Sequence, residues 1–510
     1  MTYFTTSLVL SPSGLGTIAA LFASLYLVRF VVTVIYNLYF HPLAKFPGPA
    51  SRAGLYASDY WKLYDGSHPQ NVKALHDKYG DIVRIRPDAL TFNSAAAWKD
   101  IYGTRPGRGQ LQKDPQFYSI AGDGKVDIIS CNDADHSRMR KLLSHAFSDS
   151  ALRQQEDLLT PYFELLVQRL QGQIDGPAAG KVDIKNWYNF LTFDVIGDMA
   201  FGESFGALES GTYQTHPLAD EASLNLNPNP SKWMANLFDG VKYARFLSIA
   251  SFYQPALDVL MLLVKCIPAI SESRREHTEF CREKTRHRLD TETDRRDFMS
   301  HILRHNDEKG MSRDELMNTS ELLIIAGSET TATLLSGLTY LLLTTPCAYA
   351  KVQREVREAF ASADEITLTS TGDAQALRMY PPVPIALPRR TRPEGDVIGG
   401  TAVAVAQLAT YYSSTNFHEP ETFAPERWLP DAPEEFRGDV KEAMNPFSTG
   451  PRSCIGKNLA YNEMRSVMAR MLWHFDMRLC DESRNWLEQK VYFMWEKEAL
   501  NIVLSHRRDL

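Results

Sequence analysis

One cysteine near the C-terminus has the surroundings of an ionised thiolate. Cys454 lies in a glycine- and proline-punctuated loop, Phe447 to Gly456, directly before an apolar-periodic stretch that predicts a helix. Backbone N–H groups at a helix N-terminus favour the thiolate over the thiol, and Arg452 adds positive charge. A zinc site would need more Cys or His ligands, and a nucleophile would need a histidine that only the fold could supply. An axial thiolate on haem iron needs neither.

A second group of polar residues lies within a stretch that is otherwise apolar on every side. Ser312 to Glu315 looks like a capping box that opens a helix over Arg313–Thr345, and the apolar circumference predicts that this helix is buried. At its middle is the segment Ala326-Gly327-Ser328-Glu329-Thr330-Thr331. Burying an acid and hydroxyls is costly, and a mid-helix glycine costs about 1 kcal/mol. The segment is therefore expected to serve function rather than stability.

Both groups match motifs of the cytochrome P450 family of haem-thiolate proteins. The loop fits F-x-x-G-x-R-x-C-x-G, and the helix segment resembles the family's A/G-G-x-D/E-T motif. The resemblance implies that haem (iron protoporphyrin IX) is bound and that Cys454 is the axial ligand of its iron. It also implies that Glu329 and Thr330 handle protons on the opposite side of the haem. The alternative is that Thr330 only hydrogen-bonds its own helix backbone.

The same resemblance assigns further loop residues to the cofactor. Phe447 would lie against the porphyrin and the sulfur, and Arg452 would contact a haem propionate. Gly450 and Gly456 would let the backbone approach the ring closely, because glycine has no Cβ. These roles rest on the family motif and not on the spacing alone.

Residues outside the loop are assigned to the propionates by weaker matches. His136 and Arg140 resemble the family's W/H-x-x-x-R helix, and their i, i+4 spacing places both on one helix face. Arg389 or Arg390, after a proline-rich turn, would contact the other propionate, and Arg390 is the preferred assignment. A surface histidine–arginine pair and two solvated arginines are the alternatives.

One family motif is incomplete in this chain. Arg427 matches the P-E-R-F/W loop, but the family's Glu-x-x-Arg helix appears as Gln375-x-x-Arg378, so its carboxylate is missing. Two buried arginines without a shared acid would cost several kcal/mol unless another carboxylate reaches them. Asp373 is the nearest candidate but is out of register. The predicted helix is also short, which leads to the hypothesis of a deletion or a mis-spliced gene model around Thr371–Gln375.

The N-terminus predicts a membrane anchor. Leu15 to Phe40 is almost wholly apolar, with Arg29 as the only charged residue, and is long enough to cross a bilayer of about 30 Å as one helix. Lys45 and Arg52 follow it, so the positive-inside bias places the body of the chain in the cytosol. A cleaved signal peptide is the alternative, although the segment lacks a basic n-region.

These features divide the chain into three parts. Residues 1–40 are predicted to be the anchor, residues 41–50 a stiff, extended proline-rich connector, and residues 51–510 the haem-thiolate catalytic domain. The expected location is the endoplasmic reticulum membrane, crossed once, with the catalytic domain facing the cytosol.

The body is predicted to be mainly α-helical with a small β component, arranged as the cytochrome P450 fold. Periodicity indicates helices over Ser150–Gln173, Ile270–Arg304, Arg313–Thr345, Ala348–Phe360 and Asn458–Phe475. It indicates strands over Ile82–Arg86, Val403–Leu408 and Leu500–Leu504. The interrupted apolar stretch Tyr243–Ile270 is either buried core or a surface that dips into the bilayer and admits substrate.

Composition excludes some classes of function. The 510 residues carry 55 Lys and Arg against 62 Asp and Glu, a net charge of −7, so the basic surplus that nucleic acid binding needs is missing. Six scattered cysteines without a C-x-x-C pair cannot form a disulfide framework and indicate a reducing compartment.

The chain as a whole, including the segment HPLAKFPGP, resembles the membrane-bound fungal branch of the family that modifies secondary metabolites. The resemblance implies a monooxygenase that inserts one atom of O₂ into a lipophilic terpenoid or polyketide, with electrons from an NADPH-dependent cytochrome P450 reductase. Two alternatives stay open. One is a haem-thiolate isomerase or peroxide-using enzyme, against which the intact Glu329–Thr330 pair counts. The other is a non-catalytic chain that fails to hold haem because of Gln375.

Expected substrate contacts also rest on the resemblance. They are Gly103–Ile129, Tyr243–Ile270, Ile325–Ala326, Ile385–Leu387 and Tyr492–Trp495.

Overall fold

Helices make up most of the chain, as predicted. The structure, a computed structural model, describes residues 12–105, 107, 109–118, 126–211, 268–291, 293–366, 374–392 and 399–507. In the N-terminal half the helices are α1 Pro12–Ile35, α2 Ala50–Gly54, α3 Tyr60–Tyr64, α4 His68–Tyr79, α5 Ala95–Tyr102, α6 Pro115–Tyr118, α7 Asp133–Ala146, α8 Asp149–Gln154, α9 Glu156–Asp175, α10 Ile184–Phe201 and α11 Ala207–Ser210. They continue as α12 Pro268–Asp290, α13 Phe298–His305, α14 Arg313–Thr344, α15 Pro346–Ala359, α16 Ala374–Met379, α17 Gln407–Tyr411 and α18 Lys457–His474.

Two small sheets complete the described fold. Their strands are β1 Ile82–Arg86, β2 Ala89–Phe92, β3 Gln112–Lys113, β4 Lys181–Asp183, β5 Arg389–Arg390, β6 Ala402–Val405, β7 Phe475–Leu479 and β8 Asn501–His506. The larger sheet has the order β1-β2-β6-β5-β3, with only the β2–β6 pair parallel, and the smaller antiparallel sheet has the order β4-β8-β7. The prediction of a mainly α body with a small β component is confirmed.

The long helix α14 runs through the core, as its apolar circumference predicted. Its N-terminus is a capping box, in which Ser312 and Glu315 each bond the other's backbone N–H. The helix packs most extensively against α10 and also contacts α12 and α18. Gly327 lies at the α10 crossing, where a Cβ would come within 2.7 Å of the Ile196 side chain. Close packing is therefore one reason for this mid-helix glycine.

Two predicted helices are each interrupted at a buried polar residue. The sequence predicts one helix over Ser150–Gln173, but α8 and α9 are separated at Gln155, whose fully buried side chain donates to the last carbonyl of α7. The predicted helix Ile270–Arg304 is likewise divided into α12 and α13. There Asp297 caps α13 and pairs with Arg288 at 2.8 Å, both side chains being buried. Neither tertiary bond is visible in helical periodicity.

The N-terminal apolar segment forms a helix, α1, that continues as the π-helical turn Tyr36–Phe40. It is long and apolar enough to cross a membrane. The most apolar part of residues 16–40 is not buried against the rest of the protein. The helix α14 passes the same length and composition test, but most of it is buried in the core. The structure is thus compatible with one N-terminal anchor.

The proline-rich connector is not the extended spacer that its prolines predicted. Successive turns close between residues 41 and 46, where Ala44 and Phe46 donate to the carbonyls of His41 and Leu43. The Leu43 side chain is fully buried. The buried Arg84 on β1 donates to the carbonyl of Asn37 at 2.9 Å and so ties the end of the anchor to the body. Tertiary packing has overridden the local preference for an extended chain.

Several predicted regions lie outside the described residues. Nearly all of Tyr243–Ile270 is among them, as are Asp373 and most of the segment around Thr371–Gln375. The described part of the Glu-x-x-Arg region is the helix α16, Ala374–Met379, which begins at the first described residue after 366. The short helix before Pro381 stays a prediction.

Candidate active site

The cysteine loop folds back on itself ahead of α18. The backbone N–H of Cys454 donates to the carbonyl of Phe447 at 2.8 Å. Gly450 has a φ of 76°, and a Cβ there would lie 2.0 Å from the carbonyl oxygen of Tyr102. The packing of the loop against α5 thus requires this glycine, a reason that the family motif did not supply. For Gly456 the nearest atom to such a Cβ is the sulfur of Cys454, at 4.0 Å.

The side chain of Cys454 is exposed although protein surrounds it closely. Burial by the surrounding protein raises the pKa of its thiol above the ordinary value. A hydrogen bond from the Gly456 backbone N–H and the charges of Arg140 and Lys457 act in the opposite direction. A metal cation bound at this exposed side chain would favour the thiolate. Arg452 is not among the groups that lower this pKa, contrary to the prediction.

The neighbouring predicted residues stay close to the loop. The Phe447 ring packs against Tyr461 of α18, with 5.1 Å between ring centroids. Arg140, on α7, donates to the carbonyl of Ser453. His136 is buried on the same helix, and burial together with nearby cations lowers its pKa to about 4, so its ring is neutral at neutral pH. The helix α7 therefore brings a neutral imidazole and a cation to the loop.

Three cations converge beside this loop from separate elements. Lys113 on β3 lies directly opposite Arg389 on β5 in the antiparallel register. Burial, followed by the charges of Arg389 and Arg452, lowers the pKa of Lys113 to about 7. Like charges directly opposite in a sheet are destabilising, and burial increases the cost. An anion bound between them would remove this penalty.

Two of these cations have buried nitrogen atoms without a hydrogen-bond partner among the described residues. They are Nη1 of Arg389 and Nη1 of Arg452. The other terminal nitrogen of Arg452 donates to Asp133 at 2.8 Å and to the carbonyl of Cys131 at 3.0 Å. Unsatisfied buried donors are rare and indicate a missing partner. The donors and the exposed thiol together fit a haem, with propionates at the arginines and iron at Cys454.

The two adjacent arginines, Arg389 and Arg390, which the sequence could not distinguish, have different surroundings in the structure. Arg390 donates to Asp114 at 3.0 Å and to Asp88 at 3.3 Å. Because successive side chains of a strand point to opposite faces, Arg389 lies on the Lys113 side, where its guanidinium is 5.4 Å from the Tyr102 ring centroid. Arg389 and not Arg390 therefore lies on the face that carries Lys113.

The polar segment of α14 presents one face to open space. Ala326 is exposed although it lies midway along a buried helix, and Thr330, one turn later, is half-buried. The Thr330 hydroxyl donates to the Ala326 carbonyl at 2.6 Å. This is the local hydrogen bond that the sequence analysis gave as the alternative. The described hydrogen bonds do not join Thr330 to Glu329.

Glu329 instead turns toward the C-terminal segment. Its Oε1 lies 2.5 Å from Nζ of Lys497, and the two side chains are 2% and 4% exposed. Thr333 bridges the pair, since its hydroxyl lies 3.3 Å from Glu329 Oε1 and accepts from Lys497 at 2.8 Å. The sequence analysis identified Glu329 but not Lys497, which lies 168 positions further along the chain.

The incomplete arginine motif is satisfied differently from the family pattern. Arg427 pairs with Asp439 at 2.5 Å, and both side chains are buried. Arg378 donates to the carbonyls of Tyr411 at 2.8 Å and of Pro420 at 2.6 Å. Burial and the nearby Arg427 lower the pKa of Arg378 to about 10, so it stays charged at neutral pH. Asp439, which the sequence analysis missed, is the acid that reaches this pair of arginines.

Comparisons with known proteins agree with this geometry. The sequence model of the family described as Cytochrome P450 matches residues 55–502. The cytochrome P450 monooxygenase aclL of Aspergillus oryzae is 41% identical over 502 residues, which cover 94% of this chain and 97% of the relative. The monooxygenase astJ of the same species is 39% identical over 492 residues, covering 93% and 94%. The trichothecene C-4 hydroxylase of Trichoderma arundinaceum is 38% identical over 518 residues, covering 97% and 98%.

Replacing Asp439 by Asn is expected to lower the free energy of unfolding by about 3–5 kcal/mol, because it leaves the buried Arg427 without its carboxylate. Thermal unfolding of the purified protein measures the change, with Glu435→Gln, at an exposed position, as the matched control. A D439N protein as stable as the control would show that Asp439 is not the compensating acid.

Gln375→Glu is expected to leave haem content unchanged.

Arg389→Gln is expected to release haem faster than the unmodified protein, because a propionate would lose its buried donor. Arg390→Gln should instead lower thermal stability through the loss of Asp114 and Asp88 contacts. Transfer of haem to an excess of apomyoglobin gives the release rate for each variant. Faster release from R390Q than from R389Q would reverse the assignment of the two arginines.

Proposed function

The chain belongs to the cytochrome P450 family, and on that premise we propose that it is a membrane-anchored enzyme that oxidises a lipophilic product of fungal secondary metabolism. Its cofactor is haem, and it is a monooxygenase. The observation that carries the proposal is the exposed Cys454 side chain in a loop whose neighbouring arginines, Arg389 and Arg452, have buried nitrogen atoms without a hydrogen-bond partner among the described residues. A haem whose iron bound the thiolate and whose propionates met these donors would use both features.

The protein's own groups would hold the cofactor from several sides. Haem bound through Cys454 supplies the activation of O₂ and the insertion of one oxygen atom into the substrate, while the other atom leaves as water. Arg389, Arg452 and Lys113 would bind the propionates through charge-assisted hydrogen bonds. Phe447 and Gly456 would line the sulfur side of the ring.

The side opposite Cys454 is assigned to α14. Ala326, which is exposed, and Thr330, which is half-buried one turn later, would face the reacting centre, whereas Gly327 packs against Ile196. The Thr330 hydroxyl, which donates to the Ala326 carbonyl, retains lone pairs that can accept a hydrogen bond. Glu329 would supply protons from the far side of the helix turn.

The substrate is proposed to be a terpenoid or a polyketide. One relative is named a trichothecene C-4 hydroxylase, and several others are named monooxygenases of fungi. By the family resemblance, substrate contacts would come from Gly103–Ile129, Ile325–Ala326, Ile385–Leu387 and Tyr492–Trp495. The predicted contacts in 119–125 and in most of 243–270 fall outside the described residues.

Residues 1–40 are proposed to anchor the protein in the endoplasmic reticulum membrane, with residues 41–50 as the connector. The catalytic domain, residues 51–510, would then face the cytosol, where an NADPH-dependent reductase supplies electrons. The apolar exposed helix and the lysine that follows it support this orientation.

The test is the carbon monoxide difference spectrum of the reduced, expressed protein. We expect the band diagnostic of thiolate-ligated haem, and its loss in Cys454→Ser, because a hydroxyl cannot supply the thiolate. Cys347→Ser, at an exposed cysteine elsewhere, is the control and should keep the band.

The same preparation separates the two alternative functions. Absence of the band from the unmodified protein would support the non-catalytic alternative. A band accompanied by substrate conversion that needs neither reductase nor NADPH would support the isomerase or peroxide-using alternative. Hydroxylated product that appears only with reductase, NADPH and O₂ is the expected result.

A further inference from the structure

A deeply buried ion pair near the proposed site joins two elements far apart in sequence. Glu329 lies on α14, and Lys497 lies in the segment between the Tyr492–Trp495 turn and β8. Their atoms are 2.5 Å apart, and the side chains are 2% and 4% exposed. A pair buried to this extent is seldom favourable for stability compared with apolar residues. Its presence beside the proposed proton-handling residues therefore points to a role in function.

The pair leaves one atom of Glu329 uncommitted. Oε1 interacts with Lys497 and Thr333, whereas Oε2 is buried and has no hydrogen-bond partner within the described part of the chain. A buried carboxylate oxygen is an acceptor for a proton or for a water molecule. Lys497 thus fixes one oxygen and leaves the other available.

Three other titratable groups interact electrostatically with this pair. Burial and the charge of Glu329 raise the pKa of Tyr380, which directly follows α16. Lys185 and Asp183, which lie 3.5 Å apart, act electrostatically on Lys497. Burial lowers the pKa of Lys497, and the charge of Glu329 opposes that effect. Lys497 is the group that directly balances the carboxylate.

We propose that Lys497 is the positioning residue for Glu329: it holds that carboxylate ionised and oriented, with Oε2 free to accept and pass on a proton. The proposal rests on the proposed monooxygenase function. Only O–H bonds are made and broken: a water molecule on the outer side gives a proton to Oε2, Oε2 gives it to a water molecule on the side of the reacting centre, and no electrons are transferred. The C-terminal segment that carries the Tyr492–Trp495 turn thereby controls the protonation state of an acid on α14.

Removing the lysine gives a direct structural test that does not depend on turnover. In Lys497→Met the buried Glu329 loses its cation, and a buried carboxyl group without a partner charge favours its neutral form. Infrared difference spectroscopy should then show a new protonated-carboxyl band in K497M. The band should be absent from the double variant K497M/E329Q and from Lys490→Met, a matched change at an exposed lysine of the same segment.

Turnover gives the second readout. With substrate and reductase, K497M is expected to lower kcat by about ten- to a hundred-fold with little change in KM, because the acid is misplaced and neutral rather than the substrate site altered. The loss should diminish as pH rises, since a higher pH restores the carboxylate. Lys497→Arg should recover most of kcat because it keeps the positive charge.

The outcomes distinguish this inference from the proposed function. A K497M protein without the new band, or with a band that persists in the double variant, overturns the role of Lys497. An unmodified protein without the carbon monoxide band overturns the proposed function, while the infrared result still decides the pairing. If K497M does not fold, Lys497→Gln carries the same infrared test, because it is neutral and keeps a hydrogen-bond donor.

Discussion

The gathering of three cations beside the cysteine loop is the constraint on which the site depends, and only Arg452 among them is described with a carboxylate partner, Asp133. The β3–β5 register sets Lys113 against Arg389, and the cysteine loop adds Arg452 to the same region. Two of the guanidinium nitrogens there are buried without a partner among the described residues. A fold would not keep such donors for stability, because each carries a desolvation penalty. The arrangement makes physical sense around an anionic group, and the haem propionates are anions of that kind.

The long buried helix shows how polar groups are tolerated when their partners come from elsewhere. The hydroxyl of Thr330 donates to a carbonyl of its own helix, so this donor needs no partner from another element. Glu329 is different, because its charge is balanced by Lys497 from the C-terminal segment. The polar segment of α14 thus has two sides: an exposed one with Ala326 and Thr330, and a buried one at which two distant parts of the chain meet.

The altered arginine motif shows that a family's charge balance can be kept without the usual residue. Gln375 cannot neutralise Arg378, but backbone carbonyls surround that guanidinium and Asp439 pairs with Arg427. The aromatic rings of Tyr412 and Phe417 also lie 5.7 and 5.2 Å from the Arg378 guanidinium. A missing carboxylate in the motif therefore does not leave two bare charges in the core.

The sequence by itself determined the features that depend on neighbours along the chain. The capping box at Ser312, the long helix after it, the strand Ile82–Arg86 and the cysteine loop before α18 are all local patterns, and each is present. Tertiary structure decided which of two adjacent arginines lies beside Lys113, which acid pairs with Arg427 and which cation pairs with Glu329. Strand alternation and sheet register settled the first, and contacts between residues distant in sequence settled the others. Tertiary contacts also produce the turns of residues 41–46 and the helix breaks at Gln155 and Asp297. In each case these contacts outweigh the local preference of the sequence.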